Sequence, residues 1–417
     1  MKKAMLVAVS LPETKDFEEN IEEMINLAQA CDIEIVSTIT QNLKTINKQF
    51  FVNRGKMEEV REQLQSEEIS LLIFNNALSP SQLRNIEAAC GCDVMDKSDL
   101  IITIFSLRAQ SKEAKLQVEC AKLKYTLPRL SGSYTDLDRQ RGGGDKNRGS
   151  GEKKIELDVR RIESRIHSLE RELKEIRKQR SVQRRLRDKN EVRSASLIGY
   201  TNAGKSSIMN GCMAYLDKEE KQVFEKDMLF ATLTTQIRNI TLASNNSFTL
   251  SDTVGFISDL PHSLIEAFKS TLEEATSADL LIEVIDANAD EYNKHMKVCE
   301  QTLQEIGCTN TEILYVYNKC DLCDIPYPHQ EENRVYICAK EEESIKFLLD
   351  IIEKQLFKVQ KVSLLIPYQE GSLIHELNDK AQILVQENQE DGVFLQLMIR
   401  QELYKKVESY RIFQKDE

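Results

Sequence analysis

Residues Gly199-Tyr200-Thr201-Asn202-Ala203-Gly204-Lys205-Ser206 spell Gly-x4-Gly-Lys-Ser, and few folds are open to a chain that carries this motif between an apolar run and a helical pattern. Leu197-Ile198 before it and Ser207-Ile208-Met209 after it supply the strand and the helix. A strand, loop and helix in that order aim successive backbone N–H groups and the positive end of a helix at one point, which suits phosphate. Gly199 and Gly204 permit the loop geometry, Lys205 reaches the β and γ phosphates, and the Ser206 hydroxyl is a Mg2+ ligand. The expected fold is α/β, a mostly parallel sheet with helices on both faces.

Two later motifs sharpen the site. Asp252-Thr253-Val254-Gly255 follows the expected strand Ser247–Leu250, where a P-loop protein carries its second magnesium contact. Asp252 should hold Mg2+ through water, and the Gly255 N–H should sense the γ-phosphate. In Asn318-Lys319-Cys320-Asp321 the Asp321 carboxylate can accept from guanine N1–H and the 2-amino group. Adenine offers neither donor and would leave a desolvated carboxylate unpaired. GTP is therefore the expected nucleotide, with Asn318 tying this loop to the P-loop and the Lys319 stem covering one face of the base. Cys338-Ala339-Lys340 follows the expected strand Arg334–Ile337, and its order in the chain places a backbone N–H at guanine O6. One familiar part is missing: Phe256 stands after Gly255, where many such GTPases place a Gln that orients the attacking water, and a phenyl ring neither donates nor accepts.

Residues 1–105 alternate short apolar runs, Met5–Val9, Ile33–Ile39, Leu71–Asn75 and Asp93–Asp96, with helical patterns near Asp16–Ala30, Lys56–Gln65 and Ser81–Cys90. That alternation implies a small parallel α/β domain. Residues 106–191 read as a long helical hairpin. A helix at Ser111–Tyr125 leads to a basic, Gly-rich tip loop at 129–151, after which Ile155, Val159, Ile162, Ile166, Leu169, Leu173 and Ile176 recur at steps of four and three. This is a heptad seam on a long helix. It packs either on the first helix as an antiparallel hairpin or on a second copy as a coiled coil, and adjacency in the chain favours the hairpin. Residues 192–358 hold the nucleotide motifs. A small α+β domain is expected at 359–417, with an apolar run Ser363–Pro367, a helix from Ser372 to about Glu387, a second apolar run Gly392–Leu397 and an end-helix from Gln401.

With 41% hydrophobic and 30% charged residues the composition is that of an ordinary globular protein. A net charge of -12 argues against a nucleic-acid partner for the chain taken whole. Between Arg129 and Arg193, however, Arg139, Arg141, Lys146 and Arg148 are followed by Arg177, Lys178, Arg180, Arg184, Arg185 and Arg187, and a local cationic segment can seat on phosphate. No apolar run approaches the roughly 18 to 20 residues of a membrane span, and the N-terminus lacks a signal-peptide pattern, so a cytoplasmic protein is expected. The 10 cysteines are irregularly placed and read as reduced thiols. Cys320 and Cys323 form a C-x-x-C spacing, for which a zinc or redox role is the minor reading.

These motifs in this order, with Phe230-Ala231-Thr232-Leu233-Thr234 between the first two, resemble the HflX family of translation-associated GTPases. The likeness extends through Asn76–Asn85, Asp99–Ile101, Lys115–Glu119 and the glycine loop ending in Gly151-Glu152, while Asp252–Ile257 with Leu260-Pro261-His262 is similar to that family's switch II. It is weakest after about Phe357. The resemblance implies GTP hydrolysis with Mg2+, with Lys205, Thr232 and Gly255 as catalytic residues and Thr232 as the switch I magnesium ligand. It also implies nucleotide contacts from Phe230 to Thr234, binding to the large ribosomal subunit, ribosome-stimulated turnover, and separation of stalled or idle ribosomes; a monomer is expected, with the sequence leaving the oligomeric state open. Arg141, Lys146 and Arg148 at the hairpin tip would face RNA, which is recognised through shape and phosphate. Two departures stand out. Thr234-Thr235-Gln236 replaces the Asp-Pro-Thr usual in switch I, removing a fixed φ and a charge; and the aromatic usual near the hairpin tip is Tyr134, in a chain without Trp. The alternative reading is a signalling or ribosome-assembly GTPase whose basic hairpin binds free RNA or an acidic protein.

Overall fold

The computed structural model describes the chain apart from residues 1, 13–15, 141–150, 190–191, 217–235, 243, 245, 258–274, 290–291, 309–310 and 413–417. Two compact units share the described residues, one holding the N-terminal sheet and the helical hairpin, the other the nucleotide sheet and the C-terminal sheet.

In the first unit β1 (Lys2–Ser10), β2 (Ile33–Asn42), β3 (Leu71–Phe74) and β4 (Asp93–Asp96) form a parallel sheet in the order β2-β1-β3-β4. β1 is buried without a break from Ala4 to Val9, as a strand covered on both faces requires, and this explains its unalternating sequence. Helices α1 (Phe17–Ala30), α2 (Arg54–Ser66) and α3 (Pro80–Cys90) occupy the expected segments. α3 starts on a capping box: Ser79 accepts from the Gln82 amide while the Gln82 side chain accepts from the Ser79 N–H, and Pro80 fills the first turn. α4 (Lys97–Arg108) buries residues around most of its circumference, so periodicity does not reveal it.

The hairpin consists of α5 (Lys112–Gln140) and α6 (Gly151–Lys189). Ile162, Ile166, Leu169, Leu173 and Ile176 of α6 pack with Leu116, Cys120, Leu123 and Leu127 of α5, so the heptad stripe is covered within the chain. Ion pairs Arg180–Glu113 at 2.6 Å and Lys124–Glu170 at 2.8 Å flank this core. Between these two pairs residue numbers fall along α6 as they rise along α5, so the helices run antiparallel.

The expected tip loop at 129–151 is corrected by the structure: α5 stays helical to Gln140 and passes through Pro128. Proline deletes one helical donor, but both sides of it are anchored. Leu127 packs on the hairpin core, and Arg129 pairs with Asp99 at 2.9 Å and Asp96 at 3.4 Å, with its guanidinium 3.8 Å from the centre of the Tyr125 ring. Asp96 is fully buried and also accepts from Leu78 N, Asp99 N and the Tyr125 hydroxyl. Burial pushes the Asp99 carboxyl up to about 6. Arg141, Lys146 and Arg148 lie outside the described residues.

The second unit is built on a seven-stranded sheet ordered β10-β11-β9-β8-β5-β7-β6, made of β5 (Arg193–Gly199), β6 (Gln236–Thr241), β7 (Ser247–Asp252), β8 (Leu280–Asp286), β9 (Glu312–Asn318), β10 (His329–Glu331) and β11 (Arg334–Tyr336). Only β6 and β10 are antiparallel to their neighbours. A three-stranded antiparallel sheet, β12 (Val359–Ile366), β13 (Gln382–Gln389) and β14 (Gly392–Arg400), follows, with the helices Gly371–Lys380 and Gln401–Val407 packed on it. The expected helix to Glu387 is corrected here, since it stops at Lys380 and Gln382–Gln389 pairs with β14 as a strand. Glu390-Asp391 is the two-residue turn that closes this hairpin between Gln389 and Gly392, and pairing outweighs the weak helical pattern of Gln382–Glu387. Among the described residues no helix is long and apolar enough to cross a membrane.

Leu169 has no exposed surface and sits in the middle of the hairpin seam. Leu169→Ala should destabilise the hairpin by about 2–5 kcal/mol, read as an earlier helical transition in urea followed by circular dichroism, with GDP affinity unchanged.

Candidate nucleotide site

The P-loop joins β5 to α7 (Lys205–Tyr215). Gly204 sits at φ 97, and a Cβ on it would come within 2.1 Å of Asn318 Nδ2; glycine is therefore demanded both by the backbone and by the neighbour. Starting α7 at Lys205 directs its first amides, which have no acceptor within the helix, toward the loop. Lys205 is buried and its Nζ donates to Gly199 O at 3.1 Å and Tyr200 O at 2.6 Å. Burial pulls its ammonium down to about 8, against the opposing pull of Asp252.

Ser206 Oγ donates to Asp252 Oδ2 at 2.8 Å, so two of the three expected magnesium residues already meet. A hydroxyl and a carboxylate form a hard oxygen donor set of the kind Mg2+ takes, and the residues present fit that ion. Gly255 lies against the P-loop: a Cβ there would sit 2.8 Å from Thr201 Cα and 3.0 Å from Lys205 Nζ. The next residue closes the contact. Phe256 N donates to Gly199 O at 3.1 Å and Thr201 N donates to Phe256 O at 2.8 Å, while the Phe256 ring is buried with Ile198, Ala275, Leu281, Cys299, Leu303 and Ile306.

Asn318 joins three motifs. Its Nδ2 donates to Ala203 O at 3.0 Å and its Oδ1 accepts from Ala339 N at 2.9 Å. Lys319 forms an ion pair with Asp286 at 2.7 Å, and Asp321 stays exposed, its carboxylate hydrogen-bonded with the Cys338 thiol. A backbone N–H of Cys338-Ala339-Lys340 is expected at guanine O6; the amides of Cys338 and Ala339 are bonded to Ser344 Oγ and Asn318 Oδ1 within the protein.

Some expected residues supply backbone alone. Thr253 donates its hydroxyl to Leu197 O at 2.7 Å beneath the sheet surface, and the side chains of Ala203, Val254 and Cys320 are buried in packing. Phe230, Ala231, Thr232, Leu233 and Thr234 lie outside the described residues. Two contributors carry no motif in the sequence: Asp286, which holds Lys319, and His295, whose ring stacks on Tyr200 at 3.8 Å between centroids and 15° between planes. Cys320 and Cys323 belong to no metal-binding group among the described residues.

Fold and site together define a P-loop GTPase. Residues 194–319 match the family described as 50S ribosome-binding GTPase, 18–106 match GTP-binding GTPase N-terminal, and 108–187 match GTP-binding GTPase Middle Region. The GTPase HflX of Caldanaerobacter subterraneus subsp. tengcongensis is 39% identical over 99% of this chain and 94% of that protein. The GTPase HflX of Escherichia coli is 36% identical over 94% of this chain and 92% of that protein. A GTP-binding protein from the archaeon Sulfolobus solfataricus, solved in complex with GDP, is similar at 27% identity over 86% of this chain and 99% of that one, with a TM-score of 0.46. The chain belongs to the GTPase HflX family, and it is a GTP-hydrolysing enzyme.

The lowered Lys205 ammonium gives a signed prediction. A bound phosphate raises its pKa from about 8, so binding takes up a proton above that pH. Affinity is complete below about 8 and declines as pH rises, by roughly tenfold between pH 7 and 9. Titration with fluorescent GDP should show this decline, and a flat profile would contradict it. Phe256→Ala should cost about 3–5 kcal/mol of stability, as for other buried aromatics, and lower the Tm of the nucleotide domain.

Proposed function

We propose that this chain is a GTPase of the large ribosomal subunit that splits or rescues stalled or idle ribosomes, with Mg2+ held by Ser206, by Asp252 through water, and by Thr232. The match of residues 194–319 to 50S ribosome-binding GTPases carries the ribosomal part. Asp321 accepts from the guanine edge, Lys205 and the first amides of α7 hold the phosphates, and the Gly255 N–H meets the γ-phosphate. Mg2+, when bound, neutralises charge on the phosphate oxygens. Because Phe256 is buried and apolar, the group that orients water comes from another segment or from the ribosome, which accords with slow turnover alone and stimulation on the subunit. The seam of α5 and α6 gives the hairpin the stiffness to carry Arg141, Lys146 and Arg148 to an RNA surface.

Asp321→Asn should move preference from guanosine toward xanthosine nucleotides, because an amide donates to the carbonyl that replaces the 2-amino group; unchanged guanine preference in competition binding would refute the base assignment. Arg141→Ala, Lys146→Ala and Arg148→Ala combined should impair subunit-stimulated hydrolysis and splitting while leaving basal hydrolysis intact, and wild-type binding to large subunits should weaken steeply with salt. Co-sedimentation with a non-hydrolysable GTP analogue measures the binding. Stimulation and splitting unchanged in the triple variant would favour an assembly GTPase.

A further inference from the structure

β6 and β7 pair as an antiparallel hairpin from Gln236↔Asp252 to Thr241↔Ser247. Its open end belongs to the nucleotide site: β7 finishes at Asp252, and β6 begins at Gln236, directly after the 230–234 segment and Thr235. The closed end is about 20 Å away along the strands. There the chain turns between Leu242 and Asn246, with Leu242 N donating to Asn246 O at 2.9 Å.

A buried polar cluster grips that turn. Asn246 is 4% exposed, and its Nδ2 donates to Glu353 Oε1 at 2.5 Å. The Ser244 hydroxyl donates to the same carboxylate oxygen. Arg400 Nε donates to Asn246 Oδ1 at 2.6 Å, and its guanidinium lies 4.3 Å from the centre of the Phe357 ring. Glu353 and Phe357 belong to the helix Glu342–Phe357, which starts just after Cys338-Ala339-Lys340. Arg400 comes from elsewhere: it ends β14, paired with Val359 of β12 in the C-terminal sheet. One side chain of the C-terminal domain is thus fastened to the far end of the strand pair whose near end holds Asp252.

We propose that Arg400 couples the C-terminal domain to the nucleotide state, with the β6–β7 hairpin as the connecting lever. The strand pair lies at the edge of the sheet, with β7 also paired to β5 from Phe248 to Asp252, and transmits displacement at Asp252 to its turn. The Asn246 amide is held on one side by Glu353 and on the other by Arg400, so movement of the turn must lengthen one of these bonds. The coupling is reciprocal: whatever seats the C-terminal domain also biases the site between GDP and GTP. This rests on the nucleotide reading of the site, and it makes Arg400, Asn246 and Glu353 positioning residues.

The test compares full-length wild type, Arg400→Ala, Asn246→Ala and the double variant. Affinities for fluorescent GDP and for a non-hydrolysable GTP analogue are measured, with amide exchange across Val359–Arg400 in each nucleotide. Arg400→Lys serves if the alanine variant fails to fold, and Lys361→Ala, exposed on the same sheet, is the control. The expected result is nucleotide-dependent exchange in Gly392–Arg400 of the wild type, a GDP-to-analogue affinity ratio shifted about fivefold or more in Arg400→Ala, and no further shift in the double variant, because both substitutions break one link. A ratio within twofold of wild type in a folded Arg400 variant, or shifts that add, overturns the coupling and leaves a static brace. Absence of nucleotide binding by the wild type overturns the site assignment, and the coupling with it.

Discussion

The side-chain amide of Asn318 is the contact on which the nucleotide site depends. β9 delivers it to the end of the sheet, where it donates to the P-loop carbonyl of Ala203 and accepts from the Ala339 amide. An amide carries its donor and its acceptor on two separate atoms, one facing each partner; a carboxylate would face the Ala203 oxygen with a second acceptor and leave both unpaired in a buried place. The same interaction accounts for Gly204, because a Cβ there would occupy the space of the Asn318 nitrogen. Three chain segments that would otherwise be independent loops share one hydrogen-bonded junction, and the base-recognition loop takes its position from the phosphate loop.

In the first unit a comparable part is played by Asp96. It ends β4, caps α4 through Asp99 N, and receives Leu78 N, the Tyr125 hydroxyl and Arg129. A fully buried carboxylate is costly unless its oxygens are satisfied, and here the donors come from the loop at Leu78, from the first turn of α4 and from the hairpin. The hairpin is thereby fixed by a charge at Arg129 and by apolar packing from Leu116 to Leu127, and this allows α5 to run through Pro128 without breaking.

Legibility followed locality. The P-loop, Asp252–Gly255 and Asn318–Asp321 are short motifs whose chemistry requires those residue types, and the folded chain brings them together. The heptad seam was legible because its period is fixed by helix geometry. What escaped was decided over distance. β13 is a strand because β14 is beside it, while its own residues carry a mixed pattern. α4 is buried all round and has no period to read. His295 and Asp286 support Tyr200 and Lys319 from far along the chain, and nothing in their neighbourhoods signals it. Thr253 looks like a ligand residue by position, yet its hydroxyl is directed at Leu197 O, since the residue after Asp252 continues the strand's alternation toward the sheet.

Phe256 shows how packing can set the terms of catalysis. Backbone bonds fasten it to Gly199 and Thr201 on both sides, and its ring fills the core between β5 and the helix Tyr292–Glu305. A side chain held this way cannot swing toward the γ-phosphate, and it has no polar atom to present if it could. The residue that follows Gly255 therefore contributes rigidity: it keeps the Gly255 amide against Lys205 and Thr201. Under the proposed function, a buried phenyl ring at this position leaves the orienting of water to another segment or to the ribosome.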